Sequence, residues 1–255
     1  MARGPAHSGE TGRGQLKGLI LAGGKGTRLF PLTRRVPRCL IPIQDRPAIH
    51  RPILLMKSAG IVDIIINTHA HADRVAALLG NGEKLGVNLT YSHEEQLRGI
   101  GAAIKQAQPL LEGGTFVVMN GDVVADIDLS DVLAYHVDQE ADVTLVLRPE
   151  KGSKAHGPLD FDADVSISTL IGEAPDEGGF LHPTGIRVLS PRVFDFLGSG
   201  GGASLGKTLA HMVEAGCHIE GYVTDGYWAD LRTWEKYGHI LWEIGRGFVP
   251  EAPIT

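Results

Sequence analysis

Two glycine-rich stretches carry residue types that bind phosphate. Near the start, Leu21 to Leu40 reads LAGGKGTRLFPLTRRVPRCL. Gly23, Gly24 and Gly26 remove side chains, so backbone N–H groups can approach an anion closely. Arg28 adds a planar, permanently charged fork suited to phosphate oxygens. Lys25, Arg28, Arg34, Arg35 and Arg38 follow one another with no acidic residue between them. In a chain of net charge −6 this is a local positive pocket aimed at an anion. Later, Gly201 to Thr208 reads GGASLGKT and fits G-x-x-x-x-G-K-[ST], the pattern of a phosphate-cradling P-loop. A third pattern, His69-Ala70-His71-Ala72-Asp73, is H-x-H-x-D, whose imidazoles and carboxylate suit a catalytic zinc ion.

The elements around these stretches discriminate between them. Short apolar runs alternate with helical patterns. Strands are expected at Leu16 to Ala22, Ile61 to Asn67, Val87 to Tyr91, Thr115 to Met119 and Asp142 to Leu147. Helices are expected at Pro47 to Gly60, His71 to Leu79, Ala102 to Leu111, Leu129 to Val137, Pro191 to Leu197, Leu205 to Ala215 and Thr233 to Ile244. Alternation at this spacing means parallel βαβ units, and near-continuous apolar strands agree because parallel sheets are covered on both faces. From Lys151 to Gly185, Gly, Pro and Asp break the pattern into an expected antiparallel excursion. The fold class is therefore α/β: a three-layer, Rossmann-like domain with a mostly parallel mixed sheet. Residues 1–15 read as a disordered leader and 16–250 as a single domain, with no hexapeptide repeats and so no C-terminal β-helix.

Bulk properties narrow the class. The 255 residues are 43% hydrophobic and 21% charged, ordinary for a soluble globular domain. Net negative charge argues against a nucleic-acid partner. No apolar run approaches a membrane span. Two cysteines, Cys39 and Cys217, imply no disulfide framework, and a reducing, cytoplasmic setting is expected. Trp228, Trp234 and Trp242 suit packing of the last strand and helix.

The first glycine loop has the stronger context. It follows directly on an apolar strand, and open α/β sheets bind ligands beyond the carboxyl ends of their strands. It is not a dinucleotide loop: Leu29 stands where the third glycine belongs, and Pro31 and Pro37 indicate extended chain rather than a helix. GGASLGKT lacks the preceding strand a P-loop needs; SPRVFDFLGSG before it reads as a short helix running into glycines. H-x-H-x-D continues with Arg74 where zinc hydrolases of the metallo-β-lactamase type continue with histidine.

The stretch GGKGTRLFPLTRRVPRCLIPI resembles the signature of sugar-1-phosphate nucleotidyltransferases, also called NDP-sugar pyrophosphorylases. INTHAHADRV, VMNGDVV, HPTGIRVLSPRVF and GYWADLRTWEKY extend the resemblance in order. The length looks most like short N-acetylmuramate-1-phosphate uridylyltransferases and mannose-1-phosphate guanylyltransferases. The resemblance implies that an NTP and a sugar-1-phosphate react with Mg²⁺ to give an NDP-sugar and pyrophosphate. It implies that Leu21, Ala22, Gly23, Gly24, Gly26, Thr27 and Arg28 bind nucleotide, with Glu94 and Gly99 beside the base. Arg28 would hold the departing phosphates, Arg38 stands for a family lysine, and Asp122 and Asp230 would hold the metal. Gly121, Thr184 and Gly185 fall on the sugar side, with His182 near them.

Four departures bear on activity. Arg38 replaces lysine, Ile100 and Ala102 alter the base-side segment, Glu94 replaces a base-reading glutamine, and Arg232 replaces a glycine after Asp230. A nucleotide-binding homologue without turnover is the alternative these changes raise. UTP with an amino-sugar phosphate is preferred, with GTP and mannose-1-phosphate next.

Overall fold

Leu19 and Ile20 are neighbours in one strand, and both are completely buried, on opposite faces. That strand, β1 (Lys17–Leu21), runs parallel between β4 (Asp63–Thr68) and β6 (Phe116–Asn120). A strand covered on both sides needs apolar residues at successive positions, which is why GLIL and DIIIN carry no alternation. The computed structural model describes residues 16–150, 180–198 and 204–248. The expected leader over 1–15, residues 151–179 of the expected excursion and 199–203 of the glycine connection lie outside the described residues.

The main sheet has seven strands in the order β10 (Ile219–Val223), β8 (Val143–Glu150), β9 (Phe180–Leu189), β6, β1, β4, β5 (Asn88–His93). β9 runs antiparallel to both neighbours and the other pairings are parallel. Helices α1 (His50–Ser58), α2 (Ala72–Leu79) and α4 (Leu129–Asp138) cover the face that carries Ile20, Ile64 and Ile66. Helices α3 (Ile100–Leu111), α5 (Val193–Phe196) and α6 (Leu205–Glu214) cover the face of Leu19, Ile65 and Val118. Each fully buried aliphatic side chain contributes about 1.5–3 kcal/mol through removal from water. This is the three-layer, mostly parallel mixed sheet the periodicity predicts. Among the described residues no helix is long and apolar enough to cross a membrane.

Two small ladders lie outside the main sheet: β2 (Pro42–Ile43) with β3 (Arg46–Pro47), and β7 (Val123–Ala125) with β11 (Trp228–Asp230). A third apolar cluster joins them, from Leu29, Ile41, Ile43, Val124 and Leu231 to Ile240 and Ile244 of α7 (Trp234–Gly245). Thr233 caps α7 by accepting from the Lys236 amide, as Asp128 caps α4 by accepting from that of Ser130. Trp234 Nε1 donates to Phe30 O at 3.2 Å, and Tyr237 Oη to Pro42 O at 2.7 Å. The last helix therefore braces the glycine loop.

Two expectations need correction. Pro37 is extended as expected (φ −55°, ψ 142°), but Pro31 is not, and Thr27–Leu29, Leu32–Arg34 and Arg38–Leu40 form three successive 3₁₀ turns. Pro31 takes helical angles (φ −85°, ψ −4°), and turning the chain back buries Leu29, Cys39 and Ile41. Of the three tryptophans only Trp228 is packed inside; Trp234 and Trp242 are 46% and 50% exposed because they sit on the outer face of α7.

Candidate active site

Three strand ends are laced together where the glycine loop begins. The Ala22 amide donates to Asn67 O and the Gly121 amide to Leu21 O, both at 2.9 Å, so β1, β4 and β6 terminate side by side. Side chains at the glycines there would be tightly placed. A Cβ on Gly23 would sit 3.1 Å from Asn67 Oδ1 and 3.3 Å from His69 Cβ; one on Gly24 would sit 3.3 Å from Arg38 Nη2. Gly26 is left-handed (φ 61°), and its carbonyl accepts from Thr33 Oγ1 at 2.7 Å, which turns the loop into its first 3₁₀ turn.

Beyond these ends lies a cleft of about 240 Å³. Of the residues singled out in the sequence, Leu21, Gly23, Gly24, Arg38, Glu94 and Gly99 line it. Ile100 of the altered base-side segment lines it too, and the structure adds Asn67, Leu97, Ala103 and Asn120. Gly99, at φ 99°, is the N-cap of α3, so that helix opens its amino end toward the cleft through Gly99 and Ile100. Thr27 and Arg28 are exposed on the first 3₁₀ turn, outside the cleft lining.

Glu94 is 1% exposed. Its amide donates to Thr68 O at 2.8 Å, its carbonyl accepts from His69 Nδ1 at 2.8 Å, and its Oε2 accepts from Asn67 Nδ2 at 3.0 Å. The other carboxylate oxygen, Oε1, is buried with no hydrogen-bond partner.

The two aspartates far apart in sequence are brought together by the β7–β11 ladder. Asp230 pairs with Val123, and the Leu231 amide donates to Asp122 O at 3.3 Å. Their side chains are only 5% and 6% exposed, and cations hold both. Arg38 Nε lies 3.1 Å from Asp122 Oδ2. Arg232 Nη2 lies 2.8 Å from Asp230 Oδ2, and Lys236 Nζ lies 2.9 Å from Asp230 Oδ1. Arg38 thus links the glycine loop to the carboxylate pair. Beneath it, burial and then the Asp122 charge push the Cys39 thiol up to about 12, which leaves it an inert packing group.

Two buried hard carboxylates at one edge match what Mg²⁺ takes from protein, with phosphate oxygens and water completing its shell. Among the described residues no third His, Cys, Asp or Glu joins them to make a larger metal cluster.

On the far side, Gly185 (φ 79°) lets β9 close on the end of β6; a Cβ there would be 2.5 Å from Asn120 Nδ2. Thr184 is buried, its hydroxyl donating to Val146 O at 2.8 Å and its carbonyl accepting from Trp228 Nε1 at 2.7 Å. His182 packs on Trp228, ring centroids 4.9 Å apart. A second cavity of about 300 Å³ lies beyond Asp230, between Arg148, Trp228 and the α7 residues Lys236, His239 and Glu243.

The model of the nucleotidyl transferase family matches residues 17–245. The chain belongs to that family. It is therefore an enzyme of the nucleotidyltransferase class. It is 30% identical over 242 residues to a mannose-1-phosphate guanylyltransferase of Mycobacterium tuberculosis, covering 94% of this chain and 67% of that protein. It is 33% identical over 227 residues to an N-acetylmuramate alpha-1-phosphate uridylyltransferase of Neisseria meningitidis, covering 86% of this chain and 94% of that protein. The fold matches HddC of Yersinia pseudotuberculosis with a TM-score of 0.72 at 24% identity, covering 90% of this chain and 99% of that one. It matches a UDP-glucose pyrophosphorylase of Acinetobacter baumanii with a TM-score of 0.71 at 19% identity, covering 91% and 94%.

The two decoy motifs have other uses. His69 is committed to Glu94 O, His71 takes a left-handed turn (φ 59°), and Asp73 lies in the first turn of α2, where its charge suits the helix dipole. Ser204 caps α6 by accepting from the Lys207 amide, and the described element before it is the helix α5, not a strand.

Proposed function

We propose that the chain transfers a nucleotidyl group from an NTP to a sugar-1-phosphate with Mg²⁺, releasing pyrophosphate. The observation that carries this reading is the β7–β11 ladder, which sets Asp230 beside Asp122 while Arg38 ties Asp122 to the glycine loop. Both substrates are anions, so attack of one on the other is electrostatically opposed. Bound by Asp122 and Asp230, Mg²⁺ would neutralise phosphate charge at the reacting centre.

The remaining work falls to the chain. The cleft walls Leu21, Leu97, Ile100 and Ala103 seat the base. The backbone of Gly23, Gly24 and Gly26 admits the phosphates closely, with Ala22 and Thr27 flanking and Arg28 at the open end for the β- and γ-phosphates. Arg38 holds the α-phosphate region from the Asp122 side. Gly121, Thr184 and Gly185 shape the sugar side. A sugar-phosphate oxygen attacks the α-phosphorus; the bond from that phosphorus to the bridging oxygen breaks, and pyrophosphate leaves with the electron pair. No side chain becomes covalently modified, so positioning and charge neutralisation supply the rate.

The test is pyrophosphate release from NTPs crossed with a panel of sugar-1-phosphates, with Mg²⁺ and with chelator. Metal-dependent release with a defined pair is the expected result. Silence across the panel from folded protein that binds nucleotide would refute it.

A further inference from the structure

Two acceptor oxygens, Asn67 Oδ1 and Glu94 Oε1, belong to residues at the polar end of the cleft. Asn67 Nδ2 must face Glu94 Oε2, to which it donates at 3.0 Å. That orientation turns Asn67 Oδ1 the other way, toward the glycine loop, where it lies 3.1 Å from the position of a Gly23 Cβ. Glu94 Oε1, on a residue 1% exposed, has no hydrogen-bond partner. A buried acceptor left without a donor costs free energy that a ligand donor would recover.

We infer that the cleft selects guanine, with Glu94 as the residue that specifies the base. The inference rests on the nucleotidyl-transfer reading of the same cleft. Guanine presents a ring N–H and an exocyclic amino group side by side, two donors in the geometry a carboxylate accepts. Uracil presents one N–H between two carbonyl oxygens, which would meet Glu94 and Asn67 acceptor to acceptor. Adenine and cytosine each place an acceptor nitrogen next to their amino group. A site with buried acceptors rejects a base lacking the matching donors more strongly than an apolar site rejects a misfit, because the protein groups are then left unpaired. The apolar walls Leu97, Ile100 and Ala103 suit a flat ring but do not distinguish one ring from another.

The experiment is calorimetric binding of GDP, UDP, ADP and CDP with Mg²⁺ and no sugar phosphate, on the wild-type chain and on Glu94→Gln. GDP is expected to bind at least about tenfold more tightly than UDP. Glutamine keeps an oxygen for Asn67 and turns an amide N–H₂ toward the base, so Glu94→Gln is expected to reduce that ratio at least about tenfold. Thermal melting of the variant checks that the fold survives.

Equal or tighter binding of UDP by the wild-type chain overturns the inference, whatever the variant does. So does a GDP preference that persists in a normally melting Glu94→Gln, and so does failure of all four diphosphates to bind. Binding requires no turnover, so the two readings fail separately. Selective GDP binding with no pyrophosphate release from any pair would sink the reaction and keep the base assignment. Release with UTP alone would do the reverse.

Discussion

Arg232→Ala is expected to make the enzyme less demanding of magnesium. Asp230 has both oxygens occupied, by Arg232 at 2.8 Å and Lys236 at 2.9 Å. A metal ion using this carboxylate would have to compete with two cations already drawn to it. Lys236 is 43% exposed and can swing into solvent, whereas the Arg232 side chain is 13% exposed and has less freedom to leave. At 2.8 Å and an effective dielectric of about 20, the bare attraction is about 6 kcal/mol. Desolvation of both charges offsets most of it, leaving roughly 1–2 kcal/mol of net coupling. Removing a competitor worth about 1.4 kcal/mol corresponds to about a tenfold fall in the Mg²⁺ concentration for half-maximal rate. The same change should lower the melting temperature by about 3–6 °C, since a chain of this size loses a few degrees per kcal/mol. The assay is pyrophosphate release against Mg²⁺ at saturating substrates, beside a thermal melt. An unchanged or higher Mg²⁺ requirement in the variant would refute the reasoning. Arg232 would then support Asp230 as a ligand rather than compete for it.

Three further outcomes follow from the same geometry. Asp122→Asn should lower kcat by about 10²–10³-fold while melting within a few degrees of wild type, because Arg38, 25% exposed, can turn outward; activity within tenfold of wild type would remove Asp122 from the metal site. Burial lowers the pKa of His136, hydrogen-bonded to Thr144 Oγ1 at 2.8 Å, so below its unfolded pKa of about 6.5 the unfolded chain binds more protons than the folded one. Stability from this group is therefore complete above about pH 6.5 and lost as pH falls from there toward the lowered folded value; the melting temperature should drop from pH 7 to 5, and less steeply in His136→Gln, and equal slopes would assign the drop to other groups. Lys207→Ala should change nucleotide affinity by no more than about twofold, and a collapse of binding would return the phosphate to GGASLGKT.

The layers of the fold were legible because periodicity reports burial directly. GLIL, DIIIN and TFVVM have no polar face to offer, and only a strand covered on both sides tolerates that. The short ladders were not legible. VVA in β7 and PI in β2 are too short to show a period, and their pairing partners come from elsewhere in the chain. The 3₁₀ turns around Pro31 were missed for a related reason. Proline fixes its own φ near the value shared by extended chain and helical turn, so the residue alone does not distinguish them. What decides is burial of Leu29 and Ile41 against α7, a contact invisible from local pattern.

The same division runs through the site. The glycine loop and its basic residues were readable because they are contiguous and chemically one-sided. Asp122 and Asp230 needed the resemblance, since nothing in either segment announces the other. Asn67 and Asn120 had a signal that the reading did not use: each is a polar residue ending an apolar strand at the ligand-binding edge of the sheet. Arg232 entered only as a departure from a pattern, and Glu94 as a departure at a position that the resemblance sets beside the base. The structure gives each a consequence, an unpaired buried acceptor in one case and an ion pair with Asp230 in the other. Neither follows from residue type. Glutamate is usually solvated and arginine usually points outward; here Glu94 is buried after β5, and Arg232 is held against Asp230 after β11. On the proposed reading, these two departures change charge where charge would select a ligand, at the base edge and at the metal, while the glycines of the loop and both aspartates are retained. That reading concentrates chain-specific chemistry in what the site accepts and leaves the transfer itself to the glycine loop and the aspartate pair.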